Sequence, residues 1–234
     1  MINKNFFFKG YRSIFTYDSP AIALTCCFIA IGALFKNLGF NIQESIFSTV
    51  LTYALPGSLV MAESMLIGAS LINIFLAVWI VNVRLYPMAV SLFPLMMHKS
   101  QPKWKYYFSC HFIAVSAWLI MKSNYKKIKK EYRIDFWIGI GSATVSVSVI
   151  GTFIGFYFSE YMNKDMMIGL AILNPVYFLC MLIGASKTTQ VTLSVLFGII
   201  LGPAIYLFSP EWSILLAGVI GGTIAYLFGE YNVS

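Results

Sequence analysis

The run "SLINIFLAVWIVNVRLYPMAVSLFPLMM", Ser70 to Met97, is apolar almost throughout, yet it holds Asn82, Arg84, Pro87 and Pro94. It is longer than the roughly 20 residues a bilayer-crossing helix needs. Water-soluble cores rarely contain such a run, and bilayers rarely accept a guanidinium. An arginine at mid-bilayer costs at least about 2.5–3.5 kcal/mol, so it faces a cavity or a partner rather than lipid. This stretch therefore predicts a membrane protein with an intramembrane polar site.

Composition agrees. Of the 234 residues, 59% are hydrophobic and 11% charged, with a mean hydropathy of +0.79. Soluble domains carry about 25% charged residues, so this chain has too little polar surface to coat a soluble globule. The net charge is +7. Its basic residues cluster in gaps between apolar runs, which reads as topology rather than as a nucleic-acid footprint. Cys26, Cys27, Cys110 and Cys180 all lie within apolar runs and lack metal-ligand spacing. No metal or cofactor is expected.

Eight apolar runs follow along the chain: 20–35, 45–67, 70–97, 104–121, 136–158, 166–183, 191–208 and 212–228. The expected fold is all-α and integral to the membrane, a polytopic bundle of about eight helices. Prolines and glycines inside several runs predict interrupted helices, which survive in a bilayer where the freed backbone faces protein or a wet cavity. Residues 1–19 read as a cytoplasmic amphipathic lead-in, with Phe6, Phe7 and Phe8 able to sit at the interface. Residues 20–121 form a first transmembrane half, 122–135 a basic cytoplasmic loop and 136–234 a second half. "LIGAS" occurs at 66–70 and again at 182–186, each downstream of a proline, Pro56 and Pro175. That echo suggests a two-fold internal repeat of the kind transporters use.

With both termini inside, Lys4, Lys9, Arg12, the basic residues from Lys122 to Arg133 and Lys187 fall inside. Lys36, Lys99, Lys103, Lys105 and Lys164 fall outside. The bias supports this orientation. The basic Lys99–Lys105 loop is on the wrong side of it, which warns that the third run is broken or re-entrant.

Counting from the Gly68–Ser70 turn places polar groups by depth. Pro56-Gly57 lies about 12 residues back, about 18 Å of helix, and Asn82 and Arg84 lie a similar distance forward. Asn174 holds a comparable place beside Pro175 by the internal echo. Broken helices there expose backbone N–H and C=O groups that bind polar ligands, and a guanidinium fork suits a carboxylate. The candidate binding residues are Arg84, Asn82, Pro56, Gly57, Ser58 and Asn174. Glu63 and His111 are the candidates for carrying a coupled proton. The alternative is structural: Arg84 paired with Glu63, or bound to carbonyls freed by Pro56 and Pro87.

The segment "GASLINIFLAVWIVNVRLYPMAVSL", Gly68 to Leu92, resembles the AzlC-type branched-chain amino acid permease family. Gly68, Ala69, Ser70, Asn82 and Arg84 match its Gly-Ala-Ser turn and Asn-x-Arg signature, and 136–155 and 165–182 are loosely similar to its second half. Ser58 stands where the family has Gln, Leu85 where a His commonly follows the signature, and Ser109–His111 where an acidic segment is expected. The resemblance implies export of branched-chain or other small neutral amino acids across the inner (cytoplasmic) membrane. It also implies a small, separately encoded hydrophobic AzlD-type subunit as partner. No Gly-rich phosphate loop is present, so a secondary transporter is the leading reading. A channel or permease for another small polar solute is the alternative. With His98 and His111 the only histidines and no nucleophile–base or metal motif, an enzyme is not expected.

Overall fold

The computed structural model describes residues 2–16, 21–66, 68–161, 163, 165–166, 169, 172, 176, 189–208 and 213–231. Every regular element among them is helical. The chain divides into two units, Met1–Asn174 and Pro175–Ser234.

The first unit is organised around α9, Arg133–Phe158, a helix of 26 residues and so about 39 Å long. With its flanking turns it is apolar and long enough to cross a membrane. Its glycines let neighbours approach at backbone distance. A side chain at Gly139 would strike the Phe7 carbonyl, and one at Gly155 the Ile29 carbonyl. Small residues at such crossings are what helices packing in a bilayer require.

α1 (Lys4–Ser13) lies against the first turns of α9, with the Asn3 N–H donating to Asp135 at 3.0 Å. Phe6 stacks on Tyr132 and Phe7 packs on the core, so only Phe8 of the three aromatics is exposed. The interfacial role expected for Phe6 and Phe7 is therefore replaced by packing on the protein. α2 (Ala21–Asn37) runs parallel to α9, its contacts advancing from Thr25 against Gly151 to the Lys36–Glu160 ion pair at 2.9 Å. That pair marks one end of the unit. The other is basic and holds Arg133.

The remaining helices are short and come in broken pairs. α3 (Ile42–Thr52) starts at the Lys36–Glu160 end with a capping box between Asn41 and Glu44. It descends along α9, with Thr49 bonded to Thr152 and Tyr53 to Thr144. Tyr53 then turns in the left-handed region, φ 40°. α4 (Leu55–Leu66) runs back up and connects through Gly68 to α5 (Leu71–Asn82), which descends against it. α6 (Leu85–Met96) continues α5 after a 46° bend and ends at the basic end, where Arg133 donates to the Leu95 carbonyl.

From there α7 (Lys103–Ser109) climbs along α9. Lys105 bonds Asp135, the Ser109 carbonyl accepts from Trp137, and Phe112 lies on Gly141. After a break at Cys110–Ala114, α8 (Val115–Asn124) descends to the loop before α9.

The second and fourth apolar runs are thus hairpins that turn back midway rather than crossings. The eight-crossing count and its charge allocation change accordingly. Lys99, Lys103 and Lys105 share the end of the basic 122–133 loop, because Gln101 reaches the Glu131 carbonyl and Lys105 reaches Asp135. The misplaced loop warned of a broken third run, and that run is bent by 46° between α5 and α6.

α2 is followed by the hairpin α3–α4 and the bent pair α5–α6 by the hairpin α7–α8, and the two hairpins start from opposite ends of the unit. The "LIGAS" echo at 182–186 and residues Asn174 and Pro175 lie outside the described residues. The second unit pairs α10 (Thr189–Tyr206) with α11 (Ser213–Tyr231), in contact where Gly221 meets Phe197.

Small hydroxyl residues share the largely apolar interior, and large apolar side chains cover the surface. Ser45, Thr49, Ser58, Ser109, Thr144, Ser148 and Thr152 are buried, while Leu71 is 84% and Phe75 67% exposed. An apolar surface this extensive marks contact with lipid or with another chain.

Candidate functional site

Three helix breaks meet at one depth of the first unit. They are Tyr53–Ala54 at the tip of one hairpin, Val83–Arg84 inside the bent pair, and Cys110–Ala114 at the tip of the other hairpin. Thr144 and Gly141, which they touch, lie about 16 and 12 Å along α9 from Arg133. The sequence explains two of the breaks. Proline has no N–H to give to the carbonyl four residues back. Pro56 therefore ends helical bonding to Thr52, and Pro87 ends it to Val83. Both prolines then sit in the first turn of the next helix, where no N–H is needed.

Between the breaks lies a cleft of about 300 Å³. Thr52, Tyr53, Asn82, Leu85, Tyr86 and Ala89 form its wall with Cys110, His111 and Ile113 of the second tip. The Tyr53 and His111 rings lie 5.8 Å apart, so the two hairpin tips touch here. Tyr86, Cys110 and His111 are exposed, which leaves one side open. Helices α4, α6 and α8 begin at this level, and α3, α5 and α7 end at it. Each helix start carries about half a positive charge and each end about half a negative one. The site therefore offers both signs without an ionised wall residue.

The expected site residues divide by place. Asn82 and His111 line the cleft. Gly57 sits behind Asn82, since a Cβ there would come within 2.8 Å of Asn82 Nδ2. Ser58 is fully buried, and Pro56 is half-buried in the first turn of α4. Arg84 stands in the chain between the wall residues Asn82 and Leu85 and is not itself part of the wall. Glu63 is exposed on α4, outside the cleft. No ion pair joins it to Arg84 among the described residues.

Among the described residues, Ser48 Oγ, Ser58 Oγ, Asn82 Oδ1 and Arg84 Nε are buried without a hydrogen-bond partner. Leaving such a group unmatched costs about 1–3 kcal/mol, and more when it is charged. Three of the four belong to the expected binding set. Tyr53, Tyr86 and Cys110 are wall residues that sequence reasoning missed. Tyr53 was within reach, being in the turn before Pro56, whereas the Cys110–Ala114 tip contains neither Gly nor Pro.

The fit of Gly57 against Asn82 is testable. The atom in the way is the end of a movable side chain, so Gly57→Ala should fold. It should displace the Asn82 amide and raise the KM of transport several-fold, with thermal stability close to the native value. Native transport by Gly57→Ala would show that Asn82 is not held by this contact.

Among the described residues no cluster of His, Cys, Asp and Glu is arranged to hold a metal. No curated protein and no solved structure matches the chain. The family model described as AzlC protein matches residues 20–162, a span that contains all three breaks and the whole of α9. The chain belongs to the AzlC family, a family of membrane permeases associated with branched-chain amino acid transport.

Proposed function

We propose that the protein is a secondary transporter that exports branched-chain or other small neutral amino acids across the cytoplasmic membrane. The carrying observation is the meeting of three helix starts and three helix ends at one mid-depth cleft. A zwitterion needs both. The carboxylate is drawn to the starts of α4, α6 and α8, with Asn82 and Arg84 beside it, and the ammonium to carbonyls at the ends of α3 and α5. The apolar parts of Leu85, Tyr86 and Ile113 suit an aliphatic side chain. The end bearing Lys99–Lys105 and Lys122–Arg133 faces the cytoplasm, because cytoplasmic loops collect Lys and Arg. The open side at Tyr86, Cys110 and His111 is where a small AzlD-type subunit would close the site.

The test is export of labelled leucine from loaded cells with and without the chain, each with and without a co-expressed AzlD-type subunit. Saturable, leucine-competed efflux is expected. Unsaturable efflux would make the protein a channel, and no dependence on the chain would remove the solute assignment.

Proton coupling, if present, belongs to His111, which lines the cleft, rather than to exposed Glu63. His111→Asn should flatten the pH dependence of leucine export, while Glu63→Gln should leave the profile as it is. An unaltered profile in His111→Asn would exclude this histidine as the coupling group.

A further inference from the structure

A second, larger cleft of about 650 Å³ lies at the basic end, between the end of α6 and the start of α7. Its rim carries Lys99, Lys103 and His98, and its wall Phe93, Met97 and Tyr106. No carboxylate lines it. Lys105, one turn along α7, is occupied by Asp135 and is not part of the lining. The tyrosine that shapes the cleft is fixed: the His98 N–H donates to the Tyr106 hydroxyl at 3.0 Å. Cys110 lines this cleft and also lines the central one. One residue at the hairpin tip thus separates the two spaces.

We propose that this basic-end cleft is a second binding station for the same solute, contiguous with the central cleft at Cys110. The proposal rests on the amino-acid reading of the central site. Two lysines and a histidine at the rim attract the carboxylate, and the phenylalanine, methionine and tyrosine wall takes the aliphatic side chain. A solute coming from the cytoplasm meets the cationic rim first. Cys110 is the residue the two stations share, and a bulky group there is expected to obstruct movement between them.

The experiment uses the full chain in inside-out membrane vesicles, with its basic end outward, and a membrane-impermeant cationic methanethiosulfonate. Cys26→Ala, Cys27→Ala and Cys180→Ala together leave Cys110 as the single target. Mass spectrometry of the native protein gives the same readout if that variant inserts poorly. Modification of Cys110 from the outer face of these vesicles is expected, slowed several-fold by leucine and followed by loss of leucine transport. Cys110→Ala should abolish the modification as read by mass spectrometry. Lys99→Gln with Lys103→Gln should raise the KM for leucine several-fold, more at low ionic strength than at high.

Three results overturn the proposal. One is reaction only with a membrane-permeant maleimide, which would turn Cys110 toward lipid. A second is modification that leaves leucine transport intact. A third is protection by added phosphatidylglycerol but not by leucine, which would make the cleft a lipid-headgroup site. Leucine transport before modification is the control for the underlying reading. Its absence defeats the solute assignment itself, whereas intact and insensitive transport defeats the second station alone.

Discussion

Arg84→Gln is expected to reduce leucine transport by about 30-fold or more while the protein still inserts and folds. Losing one side of a buried, hydrogen-bonded charge pair costs about 2–5 kcal/mol, and each 1.4 kcal/mol is tenfold. The reasons lie in the surroundings of Arg84. It occupies the break between α5 and α6, and among the described residues its Nε is buried without a partner and no carboxylate pairs with it. An unmatched donor on a buried cation is costly, and on the proposed reading a solute carboxylate held between Asn82 and Leu85, the wall residues on either side of Arg84, offsets that cost. Of the two structural alternatives, the ion pair with Glu63 is not formed among the described residues, and the variants below test the other, binding to carbonyls freed by Pro56 and Pro87. Arg84→Lys keeps the charge but loses the planar fork, so it should also weaken transport strongly, though less than Gln. A carboxylate-free amine analogue of leucine should be a poor substrate of the native protein. The check is initial transport rate set against melting temperature in detergent for each variant. Normal transport by Arg84→Lys, or a loss that follows the loss of folded protein, would return Arg84 to a purely structural role.

The depth of this site was legible in the sequence. Counting outward from Gly68 put Pro56-Gly57 level with Asn82, and the structure brings Gly57 against the Asn82 amide. Pro56 and Pro87 announced two breaks because a missing N–H is a local property of the chain. The first break falls at Tyr53–Ala54, three residues before the expected Pro56-Gly57. The reason is that a proline disrupts the turn before it and is accommodated in the turn it starts. Whether a broken run crosses or turns back was not legible from hydropathy, since a hairpin of two short apolar helices has the same composition as one long span. Only the stray Lys99–Lys105 loop hinted at it. The third break, at Cys110–Ala114, depends on tertiary partners: Trp137 takes the Ser109 carbonyl and Gly141 receives Phe112. Neither partner is within 20 residues in sequence.

Lys105 provides the second large effect, and it tests the architecture directly. Its ammonium meets Asp135 at 2.8 Å with both side chains 1% exposed, and Gln101 accepts a further bond at 2.8 Å. Asp135 in turn accepts the Asn3 N–H. One ion pair therefore fastens α7 to α9 and α9 to the segment that starts α1. Lys105→Met strands a buried carboxylate, and Asp135→Leu strands a buried ammonium. Breaking a buried pair from one side costs about 3–5 kcal/mol, whereas replacing both partners by apolar residues of similar volume is often neutral. Each single variant should therefore lose most of its thermal stability in detergent, and the double variant should recover most of it. Transport should follow the same order, since α7 carries the Cys110–Ala114 tip into the cleft. Recovery in the double variant is the informative result, because two unconnected residues would give additive losses. Additive losses, or singles as stable as the native protein, would mean that Lys105 does not lie beside Asp135. The hairpin reading of Lys103 to Asn124 would then give way to a crossing helix, with the Lys99–Lys105 loop on the face opposite Arg133.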